Sequence, residues 1–110
     1  MDLSVVQSGD VVVIGVRAEH LDAGNSSDFR KAMTPLLENT LKAVLDMSEL
    51  HFVDSSGLGA ILSCLRVLKE RGGDLKLCRT TKPVSVLFDL VRLHHIISLY
   101  STQEEAVRDF

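Results

Sequence analysis

The feature that most restricts the fold of this chain is an apolar run that ends at Asp54 and passes directly into a helical repeat. Ser55 and Ser56 would lie at the N-terminus of that helix, where free N–H groups and the positive end of the helix dipole favour negative charge. A phosphate could be accepted there without disrupting the fold. The simpler interpretation is that Asp and Ser, both preferred helix N-caps, only start the helix. The repeat has the i, i+3, i+4, i+7 spacing of an amphipathic helix and consists of Leu58, Ile61, Leu62, Leu65 and Leu68.

The other elements alternate along the chain in the order ββαβαβαβα. A hairpin turn at Ser8-Gly9-Asp10 joins the first two strands. This order predicts a single α/β domain over residues 1–110, with a mixed β-sheet of about five strands and about four helices. We expect parallel crossovers and helices packed mainly on one side of the sheet. The strands are predicted at 3–7, 11–16, 41–47, 75–77 and 96–100, and the helices begin near 25, 55, 83 and 101.

Particular residues mark where helices begin and end. Pro35 falls inside the first helical pattern and is predicted to kink that helix or to mark its last turn. Gly72-Gly73 predicts a left-handed cap at the end of the second helix. The spacing from Ser101 to Glu104 is that of a capping box and predicts the start of the terminal helix.

Charge and hydropathy argue against two classes of partner. The net charge is −3, and no run of Lys or Arg exceeds two residues, so the chain lacks the basic stripe that a nucleic-acid surface needs. Its longest apolar runs are far shorter than the roughly 20 residues of a membrane-spanning helix. The N-terminus has no signal-peptide pattern. We expect a cytoplasmic protein without nucleic-acid binding or membrane insertion.

Enzymatic chemistry is not predicted. The nucleophile elbow of serine hydrolases requires Gly two residues before the serine, and Val53 and Asp54 occupy that place before Ser55 and Ser56. No phosphate-binding loop occurs, and Gly57-Leu58-Gly59 is only a fragment of a dinucleotide-binding motif. We predict no catalytic residue and no cofactor.

A metal or redox site is not predicted either. His94-His95 are adjacent, so their side chains should point in different directions and would not share one ion. We interpret them as surface residues or as complements to a helix dipole. Cys64 and Cys78 form no C-x-x-C pair and are interpreted as small core residues.

Segment 45–59, LDMSELHFVDSSGLG, carries a resemblance to a known family. Together with the order of elements it makes the chain similar to a STAS domain, and more narrowly to the bacterial anti-sigma-factor antagonists, over nearly all 110 residues. Leu21-Asp22-Ala23, Gly72-Gly73 and the segment 83–88 belong to the same resemblance. The chain departs from the family pattern at Glu19-His20, Pro35, Arg92 and His94-His95, none of which lies in the Asp-Ser-Ser segment.

The resemblance implies a partner switch without enzymatic activity of its own. In such a switch the unphosphorylated chain binds an anti-sigma factor that is also a serine kinase, phosphorylation of Ser55 releases it, and a PP2C-type phosphatase restores it. Asp22 and Asp54 would flank the kinase contact, and Ser56 and Gly57 would complete the loop. The alternative is a STAS subunit of a lipid ABC-transport or stress-sensing assembly, docking through the same surface.

Helical spacing predicts which side of the second helix meets a partner. With Leu58, Ile61, Leu62 and Leu65 taken as inward, the outward side carries mainly small residues, which would allow close approach near Ser55. We predict that Gly59, Ser63 and Val67 belong to the contact. An ordinary solvated face is the alternative. The predicted outward residues are Gly59, Ala60, Ser63, Arg66 and Val67.

Overall fold

Seven strands and four α-helices follow one another along the chain, and the computed structural model describes all 110 residues. The strands are β1 (Leu3–Ser8), β2 (Val11–Val16), β3 (His20–Leu21), β4 (Lys42–Asp46), β5 (Phe52–Val53), β6 (Asp74–Cys78) and β7 (Leu99–Tyr100). The helices are α1 (Ser26–Leu37), α2 (Ser55–Glu70), α3 (Lys82–Leu90) and α4 (Gln103–Arg108). None of the four combines the length and the apolar character that crossing a membrane requires.

The main sheet has five strands in the order β1-β2-β4-β6-β7. β1 runs antiparallel to β2, and all later neighbours are parallel. The predicted mixed sheet and its four helices are therefore confirmed. β4 lies in the middle with residues 43–46 buried, which agrees with its mostly apolar sequence, since strands covered on both faces carry nearly continuous apolar runs.

A second sheet of two short strands was not predicted. β3 and β5 pair in parallel, with His20 opposite Phe52 and Leu21 opposite Val53. Two-residue strands leave no periodic pattern in a sequence, so only the folded chain identifies them. Their pairing brings the segment before α1 beside the segment before α2.

The core lies mainly between the sheet and α1, α2 and α3. Phe29, Ile61 and Phe88, one from each helix, are all buried in the same large apolar cluster. On the other face α4 contributes Ala106 to a smaller cluster with residues from β2, β4 and β6. The prediction that the helices pack mainly on one side is confirmed.

The helix ends agree with two of the three sequence signals. Pro35 lies in the last turn of α1. Gly72 has φ +83°, and the N–H groups of Gly72 and Gly73 donate to the carbonyls of Lys69 and Leu68 at 3.1 and 2.8 Å. This is the hydrogen-bond pattern of a left-handed C-terminal cap. Both predictions are confirmed.

The capping box of α4 begins one residue later than predicted. Thr102, not Ser101, is the N-cap of α4, and its hydroxyl accepts from the N–H of Glu105 at 3.1 Å. Thr102 also donates to the Glu105 carboxylate at 3.0 Å. Both S-x-x-E and T-x-x-E occur here, so the spacing alone could not choose between them.

The predicted strand at 96–100 was too long. Arg92 adopts a left-handed conformation with φ 53° and is followed by a 3₁₀ turn, Leu93–His95, so that β7 begins only at Leu99. The two histidine rings do not diverge as expected. Their centroids are 4.4 Å apart in an edge-to-face arrangement.

Candidate functional site

The N-terminus of α2 is fixed by the carboxylate of Asp54. This residue is the N-cap, and its Oδ1 accepts from the N–H of Gly57 at 2.9 Å. Its Oδ2 accepts from the N–H of Ala23 at 3.1 Å. The Gly57 hydrogen bond, helped by the N–H groups of Ala23 and Ser56, holds the pKa of Asp54 below its ordinary value despite some desolvation. Asp54 therefore carries a negative charge at neutral pH, directly before Ser55.

Gly57 allows the two segments to meet. A Cβ at this position would lie 2.0 Å from the carbonyl oxygen of Leu21. No side chain fits there, so only glycine permits this approach of α2 to β3. Gly57 is buried, so it affects the loop through packing inside the chain.

The loop between β3 and α1 is held by its own polar side chains. Oδ1 of Asp22 accepts from the N–H of Gly24, and the N–H of Asp22 donates to Oδ1 of Asn25, both at 2.9 Å. The Asn25 amide also donates to the carbonyl of His20 at 2.9 Å. Asn25 stands at the N-cap position of α1 but does not cap it with its side chain, because that side chain is engaged in the loop.

Ser55 is exposed. It is the first residue of α2, and its hydroxyl makes no hydrogen bond within the chain. Ser56 is half-buried. The Asp54–Ala23 hydrogen bond joins the loop that contains Asp22 to the segment that precedes Ser55, so that residues predicted from separate parts of the sequence lie near one another.

Gly59, Ser63 and Val67 follow from Ser55 at intervals of four residues and lie beside α1. Ser63 donates to the carbonyl of Gly59 at 2.9 Å. A Cβ on Gly59 would lie 3.7 Å from a guanidinium nitrogen of Arg30 on α1. Ser63 and Val67 line a cavity of about 370 Å³ between the two helices. Two of the three predicted contact residues, Ser63 and Val67, thus line a groove rather than an open helix face. The cavity is also lined by Arg30, Met33, Thr34, Leu37, Glu38, Cys64 and Arg71.

The predicted orientation of α2 was partly wrong. Ala60, expected to face outward, is completely buried, whereas Leu58 and Leu62 are only half-buried. The inward face combines three small residues, Gly57, Ala60 and Cys64, with the large residues Ile61, Leu65 and Leu68. A pattern based on large apolar residues alone does not detect the contribution of the small ones.

The cysteines occupy the predicted core positions. Cys64 and Cys78 are buried and unpaired, and burial raises the pKa of the Cys64 thiol to about 11 and that of Cys78 to about 12. A thiol with so high a pKa is a poor nucleophile. No group of three or more His, Cys, Asp or Glu side chains is arranged to hold a metal ion.

The sequence patterns did not predict that two further residues, Arg30 and Phe52, lie beside the site. Arg30 covers Gly59, and Phe52 is 55% exposed two residues before Asp54. The position of Phe52 in a strand-like run gave no sign that it would face solvent.

Comparison with known proteins agrees with this fold. A family model described as STAS domain matches residues 2–106. The anti-sigma F factor antagonist of Paenibacillus polymyxa is 35% identical over 66 residues, which cover 60% of this chain and 56% of that protein. The anti-sigma-B factor antagonist of Bacillus subtilis (strain 168) is 25% identical over 108 residues, or 98% of both proteins. The structure of the anti-sigma factor antagonist SpoIIAA in its unphosphorylated form has a TM-score of 0.75 at 25% identity, covering 96% of this chain and 93% of that one.

Proposed function

This chain belongs to the STAS domain family, and we propose that it acts as an anti-sigma-factor antagonist that changes partners when Ser55 is phosphorylated. In this proposal the unphosphorylated chain binds an anti-sigma factor with serine kinase activity. The kinase phosphorylates Ser55 and the complex separates. A PP2C-type phosphatase then restores the starting form.

The observation that carries the proposal is the position of Ser55. Its side chain is exposed, has no partner within the chain, and begins a 16-residue helix. A kinase can reach the hydroxyl, and a phosphate added there breaks no internal hydrogen bond. The helix N-terminus offsets part of the new negative charge. Phosphorylation should therefore leave the fold intact.

The same charge is unfavourable inside a protein interface. Phosphorylation adds about −1.5 to −2 charges, next to an Asp54 carboxylate that is already ionised. An uncompensated charge buried at an interface costs about 2–5 kcal/mol. That range corresponds to an affinity loss of about 30-fold to several thousand-fold. The difference is large enough to exchange one partner for another.

The proposed interface extends from the acidic loops into the groove between α1 and α2. Asp22 and Asp54 supply negative charge on either side of Ser55, with Ser56 and Gly57 completing the loop. Gly59, Ser63 and Val67 continue the surface away from Ser55 along α2, and Ser63 and Val67 line the groove. A partner helix or loop could enter it while its active site reaches the serine.

The direct test is phosphorylation by the serine kinase that co-purifies with the chain. We expect one added phosphate by mass spectrometry, lost in Ser55→Ala. Ser27→Ala is the matched control, because Ser27 is an exposed serine in the first turn of α1. In calorimetry Ser55→Asp should weaken kinase binding about 30-fold or more, and Ser27→Asp should not.

Three results would count against the proposal. One is a phosphate on Ser27 or Ser56 in place of Ser55. Another is unchanged affinity of Ser55→Asp, which would remove charge as the cause of release. The third is co-purification with a transporter ATPase and no kinase, which would favour the alternative of a STAS subunit in a lipid ABC-transport assembly.

A further inference from the structure

One edge of the main sheet is open. β1 has a single neighbour in the sheet, β2, and residues 5–8 are all exposed. At the opposite edge β7 is only two residues long. Short edge strands, charges, prolines and bulges are the usual means of preventing edge-to-edge pairing. β1, with the sequence LSVVQS, is six residues long and contains no charge and no proline.

The hydrogen bonds of the hairpin show which groups of β1 are free. The N–H of Arg17 donates to the carbonyl of Asp2 at 3.1 Å, and the register continues with Leu3 opposite Val16. Hydrogen-bonded and non-hydrogen-bonded positions alternate along an antiparallel pair. Asp2 occupies a hydrogen-bonded position, and so do Ser4, Val6 and Ser8. The N–H and C=O groups of Leu3, Val5 and Gln7 therefore point away from β2.

Leu3, Val5 and Gln7 can pair with the same three residues of a second copy that is related to the first by a two-fold axis. When a second copy runs antiparallel with Val5 opposite its own equivalent, Leu3 lies opposite Gln7 of the other copy. All three facing pairs then consist of residues with free main-chain groups, and each pair can exchange two hydrogen bonds. Such a contact is closed and symmetric.

Side chains and charges are compatible with this contact. Val5 is 49% exposed and Val6 is 60% exposed, on opposite faces of the strand. The acidic residues at the two ends are each near a cation of their own chain: Asp2 lies 3.8 Å from Arg17, and Asp10 lies 2.8 Å from Lys42. Repulsion between copies is therefore reduced.

We propose that the chain forms a homodimer through antiparallel pairing of β1 with β1 of a second copy, with the two-fold axis at Val5. The two sheets join into one continuous sheet. This inference does not depend on the proposed function. A contact between two six-residue strands buries less than the roughly 1,200–2,000 Å² of a standard interface, so the dimer should be weak and concentration-dependent.

The test compares sedimentation of the full chain with that of two variants at position 5. Val5→Pro removes an N–H that the dimer uses and the monomer does not, and proline is tolerated on edge strands. We expect dimerisation to weaken at least tenfold without a change in the thermal midpoint. Val5→Lys places like charges opposite each other and should weaken dimerisation in a salt-dependent way. Val86→Lys, which adds the same charge at an exposed site on α3, should not.

Hydrogen exchange gives an independent readout. At high protein concentration the amides of Leu3, Val5 and Gln7 should become protected, whereas those of Ser4 and Val6 are protected at every concentration. A chain that stays monomeric up to millimolar concentration would overturn the proposal. A dimer that Val5→Pro leaves unchanged, or exchange at Val5 that is independent of concentration, would overturn it as well.

Discussion

The carboxylate of Asp54 accepts a hydrogen bond from the N–H of Ala23, 31 residues earlier in the chain, at 3.1 Å. Its other oxygen accepts from Gly57 and caps α2. One side chain thus starts the helix and joins the two loops that flank Ser55. The geometry around the proposed phosphorylation site therefore depends on this residue.

Replacing Asp54 should change the pH dependence of stability. The pKa of Asp54 is lowered in the folded state, so its contribution is present above the unfolded pKa and is lost as pH falls through the folded pKa. We expect Asp54→Asn to be less stable than the parent chain at neutral pH, with a difference that shrinks in acid. Asp54→Ala, which also removes the hydrogen-bond acceptor, should be less stable than Asp54→Asn. Urea unfolding at neutral and acidic pH measures both effects.

A matched control is Asp28→Asn, because Asp28 is an exposed acid in the first turn of α1 whose carboxylate accepts no hydrogen bond. Asp28→Asn should change the free energy of unfolding less than Asp54→Asn does. A stability difference for Asp54→Asn that is the same at both pH values would contradict the role given to its charge.

Two glycines of the same helix should respond in opposite ways to alanine. Gly57→Ala places a Cβ 2.0 Å from a backbone oxygen that cannot move freely, and overpacking of this kind costs about 1–3 kcal/mol. Gly59→Ala meets only the end of the Arg30 side chain at 3.7 Å. It should stabilise the chain by about 0.5–1 kcal/mol through helix propensity. Chemical denaturation distinguishes them, and equal effects would contradict the close approach at Leu21.

Blocking the groove should weaken binding of the proposed kinase partner without unfolding the chain. Ser63→Arg places a long charged side chain in the cavity between α1 and α2, and we expect an affinity loss of about tenfold or more. Ser63→Ala should bind normally. Val86→Arg, which adds the same charge at an exposed position on α3, serves as a charge-matched control. Normal binding of Ser63→Arg would place the interface elsewhere.

Lys76 should anchor the C-terminal segment. It is 6% exposed, its Nζ donates to the carbonyl of Asp109 at 2.6 Å, and it lies 4.5 Å from the ring centre of Phe110. Hydrogen bonds from charged donors contribute about 1.5–3 kcal/mol. Lys76→Met should therefore destabilise the chain by about 1–3 kcal/mol and speed hydrogen exchange in α4. Lys82→Met, at an exposed lysine, should do neither.

Much of the architecture could be read from local patterns. The hairpin, the apolar run of β4 and the Gly72-Gly73 cap each depend on residues close together in the chain, and each is where the sequence predicted it. The Asp-Ser-Ser segment placed Ser55 at a helix start for the same reason. Apolar periodicity, turn residues and caps act over a few residues, so they can be recognised without the fold.

Contacts between distant segments needed the tertiary structure. The pairing of β3 with β5, the burial of Ala60 and the groove between α1 and α2 all depend on how closely separate elements approach. That distance is set by packing of small residues such as Gly57 against backbone from another part of the chain. The sequence determined that Ser55 begins a helix, and only the folded structure decided which loop and which helix lie beside it.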